Sequence, residues 1–417
     1  MRWRVLALVT LAFALSAMAA LAVAPLSPIL RDALGLTRAE VGLFIPAVYL
    51  GGVAMSLPAG WFVDRLGVRR TLALGQALTG TMVAAAAMTP TVPLMLGCLV
   101  AAGFGFAVVN PATGRAIVDW FAPRERGVAM GIKQTGLTLG GIAGALVLPP
   151  LALAAGWRHA MIAAGAGALL SAALVTLTYR RPVIARAPAK GESARLADLR
   201  LVLRRPGVVV LFACGFALSI AQSSVLAYLA IYVLDTFTVS AIVAGQLLAL
   251  AQVGGTGSRL GWGFVSDRYF GGRRRVGVVI SAVGGAAAYA LFALGDRLPW
   301  PLVPALAVVA GAGAFGWVGL YFTLVAEIGG TRHAGLLTGV AVMFTWSGVL
   351  VGPLVFGAAL TAAGTYAAAW LLLAAIGVVC AVALGRLRPL VQRGVGAAEP
   401  GGAAPAESAG QRAEAGG

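Results

Sequence analysis

The chain has 417 residues, of which 60% are hydrophobic and only 11% charged, and its mean hydropathy is +0.92. A water-soluble chain carries about 25% charged residues, so this composition excludes a soluble domain. The formal net charge of +17 would suit nucleic acid, but no basic helix or aromatic-basic platform for bases is written in the chain. Charge falls instead in short islands between apolar runs of roughly 20 residues, each long enough to cross a lipid bilayer as a helix.

In chain order, Met1-Arg2-Trp3-Arg4 precedes an apolar run to about residue 30. Ala22 and Ala24 fit a signal cleavage site, but the apolar character continues and further spans follow, so the run is read as uncleaved helix 1. Helix 2 is predicted over roughly 41–62 and helix 3 over 71–89. Between them stands Gly60-Trp61-Phe62-Val63-Asp64-Arg65-Leu66-Gly67-Val68-Arg69-Arg70. Helix 4 follows at about 94–119 with Arg115 near one end. Helix 5, about 128–153, carries Lys133, Gln134 and a ladder of Gly136, Gly140, Gly141 and Gly144, which lets helices approach closely. Helix 6 ends at Tyr179-Arg180-Arg181, and the basic, proline-containing stretch 181–206 reads as a linker. Helices 7 to 12 are predicted at 207–232, 239–265, 276–294, 300–326, 335–361 and 366–385. The tail 391–417 is too poor in large apolar groups to fold.

The chain therefore divides into a first half at 1–180, the linker, a second half at 207–390 and the tail. Gly60, Asp64 and Arg65 return as Gly263, Asp267 and Arg268 at a constant offset of 203. Asp119, Gly127, Gly131, Gly144 and Gly156 match Glu327, Gly335, Gly339, Gly352 and Gly364 at an offset of 208. Two related six-helix halves follow. Of the 31 Lys and Arg residues, Arg31, Arg38, Arg158 and Arg297 fall on one side, Arg115, Lys133 and Arg259 fall inside helices, and the other 24 fall on the opposite side. The positive-inside rule puts that basic side, and both termini, in the cytoplasm. The expected location is a bacterial inner membrane, with the protein a monomer.

With the repeated loop and the twelve apolar runs in view, the chain resembles the major facilitator superfamily, whose helix 2–3 signature reads Gly-x-x-x-Asp-Arg-x-Gly-Arg-(Arg/Lys). Here Val68 replaces the first basic position after Gly67. The resemblance implies an all-α membrane fold of two pseudo-symmetric six-helix bundles, a central cavity and alternating access. It also implies that Gly60, Asp64, Arg65, Arg69, Asp119, Asp267, Arg268 and Glu327 form a gate at the cytoplasmic ends of the helices, with Asp119 partnering Arg65 or Arg69. A lone acid among arginines does nothing for orientation, which favours a latch for Asp64.

Ionisable residues inside spans cost roughly 2.5–3.5 kcal/mol each at helix centre, so each needs a reason. Arg259 lies eight residues before Asp267, about 12 Å deeper at 1.5 Å per residue, with Gln252 on the same face. An arginine here resembles that of the nitrate/nitrite porters and the oxalate–formate antiporter. Its first-half counterpart is Ser56, so the paired-arginine pattern is broken, and the helix 11 lysine of the oxalate type is missing. Lys133 either faces the cavity or snorkels to the surface. Arg115 either faces the cavity or pairs with Asp119 at i,i+4. Tyr49, Gln134, Gln222, Tyr228, Trp317, Tyr321 and Trp346 are candidates to complete a binding cavity, or else pack against helices or lipid.

No acid lies within the predicted spans. The isolated Cys98, Cys214 and Cys380, and the unpartnered His159 and His333, give no metal or disulfide set. Gly311, Gly313 and Gly316 match a dinucleotide fingerprint but sit inside helix 10 with no strand before them. No Walker motif, cofactor site or nucleophile–base pair is expected. The expectation is a secondary transporter, not an enzyme, moving a small organic anion, in particular a carboxylate, by exchange or proton symport. A drug or metabolite exporter is the alternative, although Cys98 stands where that group usually carries an arginine, and an anion sensor is a third reading.

Overall fold

The structure, a computed structural model, describes residues 2–122, 125–179, 207–271 and 273–387. The predicted linker and tail lie outside the described residues, as do Gly263's surroundings and the side chains of Ser56, Asp64 and Asp267. Among the described residues every regular element is helical.

Ten stretches among the described residues are long and apolar enough to span a membrane. Two more helical passages lie beside them: the stretch after Gly67 in Phe44–Ala86, and Ala241–Tyr269. Together, among the described residues, they make the twelve expected helices, numbered 1 to 12 in chain order. Helices 2 and 3 run as one assignment, Phe44–Ala86, broken at Gly67, whose φ of 77° and ψ of 164° are open to glycine. The Thr71 hydroxyl donates to the Phe62 carbonyl at 3.0 Å across that break. Helices 10 and 11 share the assignment Val303–Ala363, within which Trp300–Val325 and Leu337–Ala363 are separate spans.

Two helices are interrupted where proline removes a donor. Helix 1 divides into Arg2–Ala20 and Val23–Leu34 just before Pro25, and Ala22 and Ala24 fall back on i−3 carbonyls at 3.2 and 3.0 Å. Helix 4 divides into Val92–Ala107 and Val109–Trp120 just before Pro111, which cannot donate to the Ala107 carbonyl. The second break sets Asn110 at the start of the new helix. Helix 7 runs over Val208–Phe237, five residues beyond its predicted end, and so carries Asp235 within its last turn. The expectation of acid-free helices is corrected there: helix 7 carries no charge before Asp235, and the chain turns only at Thr238, the one described non-glycine residue with positive φ.

The sequence repeat is also a repeat of contacts. In the first half Gly51 packs on the Val100 carbonyl and Gly103 on that of Val48; in the second, Gly254 packs on the Val308 carbonyl and Gly311 on that of Ala251. Each pair maps onto the other at the offsets 203 and 208. Likewise Gly140 meets the Ala14 carbonyl, and Gly348 meets that of Phe216. Helices 2 and 4, and then 8 and 10, touch backbone to backbone, which any side chain would prevent. Gly103→Val is therefore expected to lower the thermal midpoint of the purified protein markedly, because the new atoms would meet a carbonyl that belongs to a helix and not a flexible side chain. Overpacking of this kind costs about 1–3 kcal/mol. Gly97→Val on the same helix, where a Cβ meets nothing within 4 Å, is the control expected to leave the midpoint in place.

Candidate functional site

The two halves meet along helices 5 and 8 and helices 2 and 11, and at the end remote from the signature loop through helices 1 and 7. Gln252 of helix 8, buried, lies against Gly141 of helix 5, where a Cβ would strike its amide.

Arg259 follows two turns further along helix 8. Its Nε donates to the Phe315 carbonyl of helix 10 at 2.7 Å, and its guanidinium lies 6.0 Å from the Phe315 ring centroid. That bond and the ring anchor the Nε edge of the fork. The terminal nitrogens make no hydrogen bond or ion pair with the described residues, which leaves a planar pair of donors suited to a carboxylate. Tyr49 of helix 2, from the other half, is close enough for its phenol to interact electrostatically with Arg259. Its ring meets Trp346 of helix 11 edge-on at 5.9 Å. Arg259, Tyr49 and Trp346 are thus brought together from both halves.

Lys133 is not at the surface, and no carboxylate among the described residues pairs with it. It is 3% exposed, donates to Asn110 Oδ1 at 2.6 Å and sits 5.1 Å from the Phe13 ring centroid. Burial at this depth corrects the snorkelling alternative. Arg115 bonds Asp119 at 2.8 Å in the i,i+4 geometry. Gln134 and Gln222 are half-buried. Trp317 and Tyr321 are fully buried in the second half, where the indole donates to the Ala314 carbonyl at 2.8 Å and the two rings meet edge-on. Tyr228 is far from Arg259, at the opposite end of the molecule: its hydroxyl wedges between Gly42 and Gly357, and its ring stacks on Phe356 at 4.5 Å.

At the signature end, Arg65 lies over the Trp61 ring at 5.0 Å, and Asp119 is held by Arg115 in place of the expected Arg65 or Arg69. Glu327 pairs with Arg274 at 3.4 Å. The ion pairs described there, Arg2–Glu125 included, each stay within one half. Gly60, Arg69 and Arg268 are exposed.

The opposite end is different, and sequence reasoning missed it. Asp235 of helix 7 receives Arg31 at 2.5 Å and Arg38 at 2.8 Å, both from the first half, and the Tyr366 hydroxyl at 2.8 Å. This ties the halves together. The available signal was that Arg31 and Arg38 are two of the four basic residues on the poorly basic side. The surface groove of about 540 Å³ between Ala39, Leu43, Pro353 and Gly357 flanks this end and does not include Arg259.

The Major Facilitator Superfamily matches residues 9–353. The chain belongs to the major facilitator superfamily. Its relatives include the MFS-type transporter Rv2994 of Mycobacterium tuberculosis, 30% identical over 84% of this chain and 77% of that one. The probable sulfoacetate transporter SauU of Cupriavidus necator is 31% identical over 34% of this chain and 33% of that one. The hexuronate transporter of Escherichia coli K12 is 28% identical over 44% and 42% respectively. Among solved structures, the nucleoside transporter NupG shares the fold with a TM-score of 0.76 at 18% identity, over 91% of this chain and 98% of that one. The protein is a multi-pass membrane transporter of this superfamily, not an enzyme.

Proposed function

We propose that this superfamily member moves a small organic anion, in particular a carboxylate, by alternating access, with Arg259 as the charge that holds it. The observation that carries the reading is the free guanidinium fork: it is anchored by one bond to a backbone carbonyl and faces no carboxylate among the described residues. Such a charge inside spans is costly unless a ligand uses it. Tyr49 and Trp346 close over the same site, with Gln252, Gln134 and Gln222 as further polar groups toward the cargo. The names of the partial relatives, sulfoacetate, hexuronate and L-galactonate transporters, agree in being acids.

The basic-residue asymmetry assigns the signature end and both termini to the cytoplasm, in a bacterial inner membrane, with the monomer as the working unit. The cross-half latch at Asp235 then closes the outer end, and the signature-end residues, Asp64 and Asp267 included, form the gate of the alternate state. Bringing a monovalent anion in against a negative interior costs about 2.3 kcal/mol per 100 mV, so uptake needs a counter-anion or a proton.

The test is counterflow in proteoliposomes with a labelled panel of sulfoacetate, galactonate, glucuronate, oxalate, formate and nitrate. At least one organic acid is expected to exchange well above empty vesicles and to be displaced by the same unlabelled acid. Exchange of none, alongside transport of a lipophilic cation such as ethidium, would overturn the reading.

A further inference from the structure

We propose that Lys133 is the proton carrier of this transporter, so that an acid anion and a proton cross together; this rests on the anion reading above. Arg259 and Lys133 differ in the one property that matters here. A guanidinium stays charged in a protein, whereas a buried ammonium gives up its proton readily. One is a fixed charge and the other a switch.

The surroundings of Lys133 fit a switch. A buried cation without a counter-charge is unfavourable, and the group relieves this by losing its proton or by gaining an anion nearby. Among the described residues the elements that pack most on helix 5 are the two parts of helix 1, the second part of helix 4, helix 6 and helix 8. On helix 1 the charged groups are Arg2, Arg4, Arg31 and Asp32, on the second part of helix 4 Arg115 and Asp119, on helix 6 Arg158 and His159, and on helix 8 Arg259 and Arg268, with Asp267 undescribed in its side chain. The described acids among them are taken: Asp32 by Arg31 and Asp119 by Arg115. The partner Lys133 does have, Asn110, serves both forms. Its Oδ1 accepts from the ammonium, and on rotation its amide N–H donates to the lone pair of the neutral amine. An aspartate there would lock the proton on.

The fold does not need this pair. The repeat places Ala341 where Lys133 stands and Val318 where Asn110 stands, and those two complete an apolar cluster in the second half. A polar pair has been set where the equivalent crossing is made by apolar packing. It also lies level with the cargo site. From the Gly141–Gln252 contact, Lys133 is eight residues along helix 5 and Arg259 seven along the antiparallel helix 8, about 12 and 10 Å toward the signature end.

The step involves no redox change. One N–H bond of the Lys133 ammonium breaks, its electron pair stays on Nζ as the lone pair of the amine, and the proton passes to water on the side where the anion leaves. The empty carrier returns neutral at this position and takes a proton from water on the other side. Protonated Lys133 raises anion affinity at the neighbouring site, and its discharge lowers it. One proton with one monoanion moves no net charge.

The test uses whichever acid of the panel exchanges fastest, in proteoliposomes of the full chain. Wild type is expected to accumulate it about tenfold per unit of pH gradient, the ratio that one proton per anion gives, and to be indifferent to an imposed membrane potential. Lys133→Arg, a charge that cannot be discharged, is expected to keep measurable counterflow while accumulation under the pH gradient is lost. Asn110→Asp, which pairs the ammonium, is expected to give the same split and guards against misfolding of the first variant. Undiminished pH-driven accumulation by Lys133→Arg would overturn the proposal. So would loss of counterflow together with accumulation in both variants, which would make Lys133 a cargo ligand or a packing residue. Wild type that exchanges acids but accumulates none under a pH gradient would also overturn it while leaving the anion reading intact; wild type that exchanges no acid of the panel removes the anion reading itself.

Discussion

Arg259→Gln is expected to lower exchange of every acid that the wild type carries by about 10- to 100-fold. A hydrogen bond to a charged group contributes about 1.5–3 kcal/mol, which corresponds to that range. Glutamine keeps a donor and much of the length, so the bond to the Phe315 carbonyl has a replacement and the packing against Phe315 is largely kept. What disappears is the charge and the fork. Arg259→Lys separates these two: it restores the charge without the planar pair of donors, and is expected to recover part of the rate, least for acids whose carboxylate is held by two parallel bonds. Initial rates of counterflow against acid concentration check both. Wild-type rates in Arg259→Gln would remove Arg259 from the site.

Asp235→Asn is expected to move the protein away from the state seen here. Asp235 is 9% exposed and Arg31 17%, whereas Arg38 is 48% exposed and screened by solvent. Removing one member of a buried pair costs about 3–5 kcal/mol, but the exposed arm contributes little. About 2 kcal/mol is a reasonable share, which shifts a two-state equilibrium roughly 30-fold. Asparagine still accepts from Tyr366, so the change falls on the arginines that cross between halves. Spin labels at Ala33 and Thr365, both exposed at this end, are expected to show a longer and broader distance distribution in Asp235→Asn than in wild type. An unchanged distribution would mean that Tyr228 between Gly42 and Gly357, and not the ion pairs, holds this end shut.

The fold was legible because its physics is local and repeated. Apolar runs of span length gave the helices, and glycines at two constant offsets gave the symmetry, which the structure renders as matched contacts of Gly51 with Val100 and Gly254 with Val308. Arg259 was legible as well, since a cation deep in a span stands out against its surroundings. What could not be read was pairing between distant segments. Asp235 lies about 200 residues from Arg31 and Arg38, and a helix 7 ended at 232 left it looking like a loop acid. Lys133 stood out by its charge, but its partner did not: Asn110 is uncharged and 23 residues away, on another helix. Arg115 had two open readings, and the i,i+4 spacing to Asp119 won because no ordering of distant groups is needed to make it. Tyr228, Trp317 and Tyr321 show the limit of reading aromatics from spacing. All three are buried, one at the end remote from the signature loop and two in the second-half core.

The most direct test of the central claim is the thermal unfolding of purified protein in detergent with matched pairs of ligands, glucuronate against glucose and galactonate against galactose. A ligand that binds only the folded state raises stability by RT ln(1 + [L]/Kd). At least one acid is expected to raise the midpoint of wild type while its uncharged partner does not, and Arg259→Gln is expected to lose this response while keeping its own midpoint near that of wild type. Equal stabilisation by acid and sugar, or an undiminished response to the acid in Arg259→Gln, would contradict that claim.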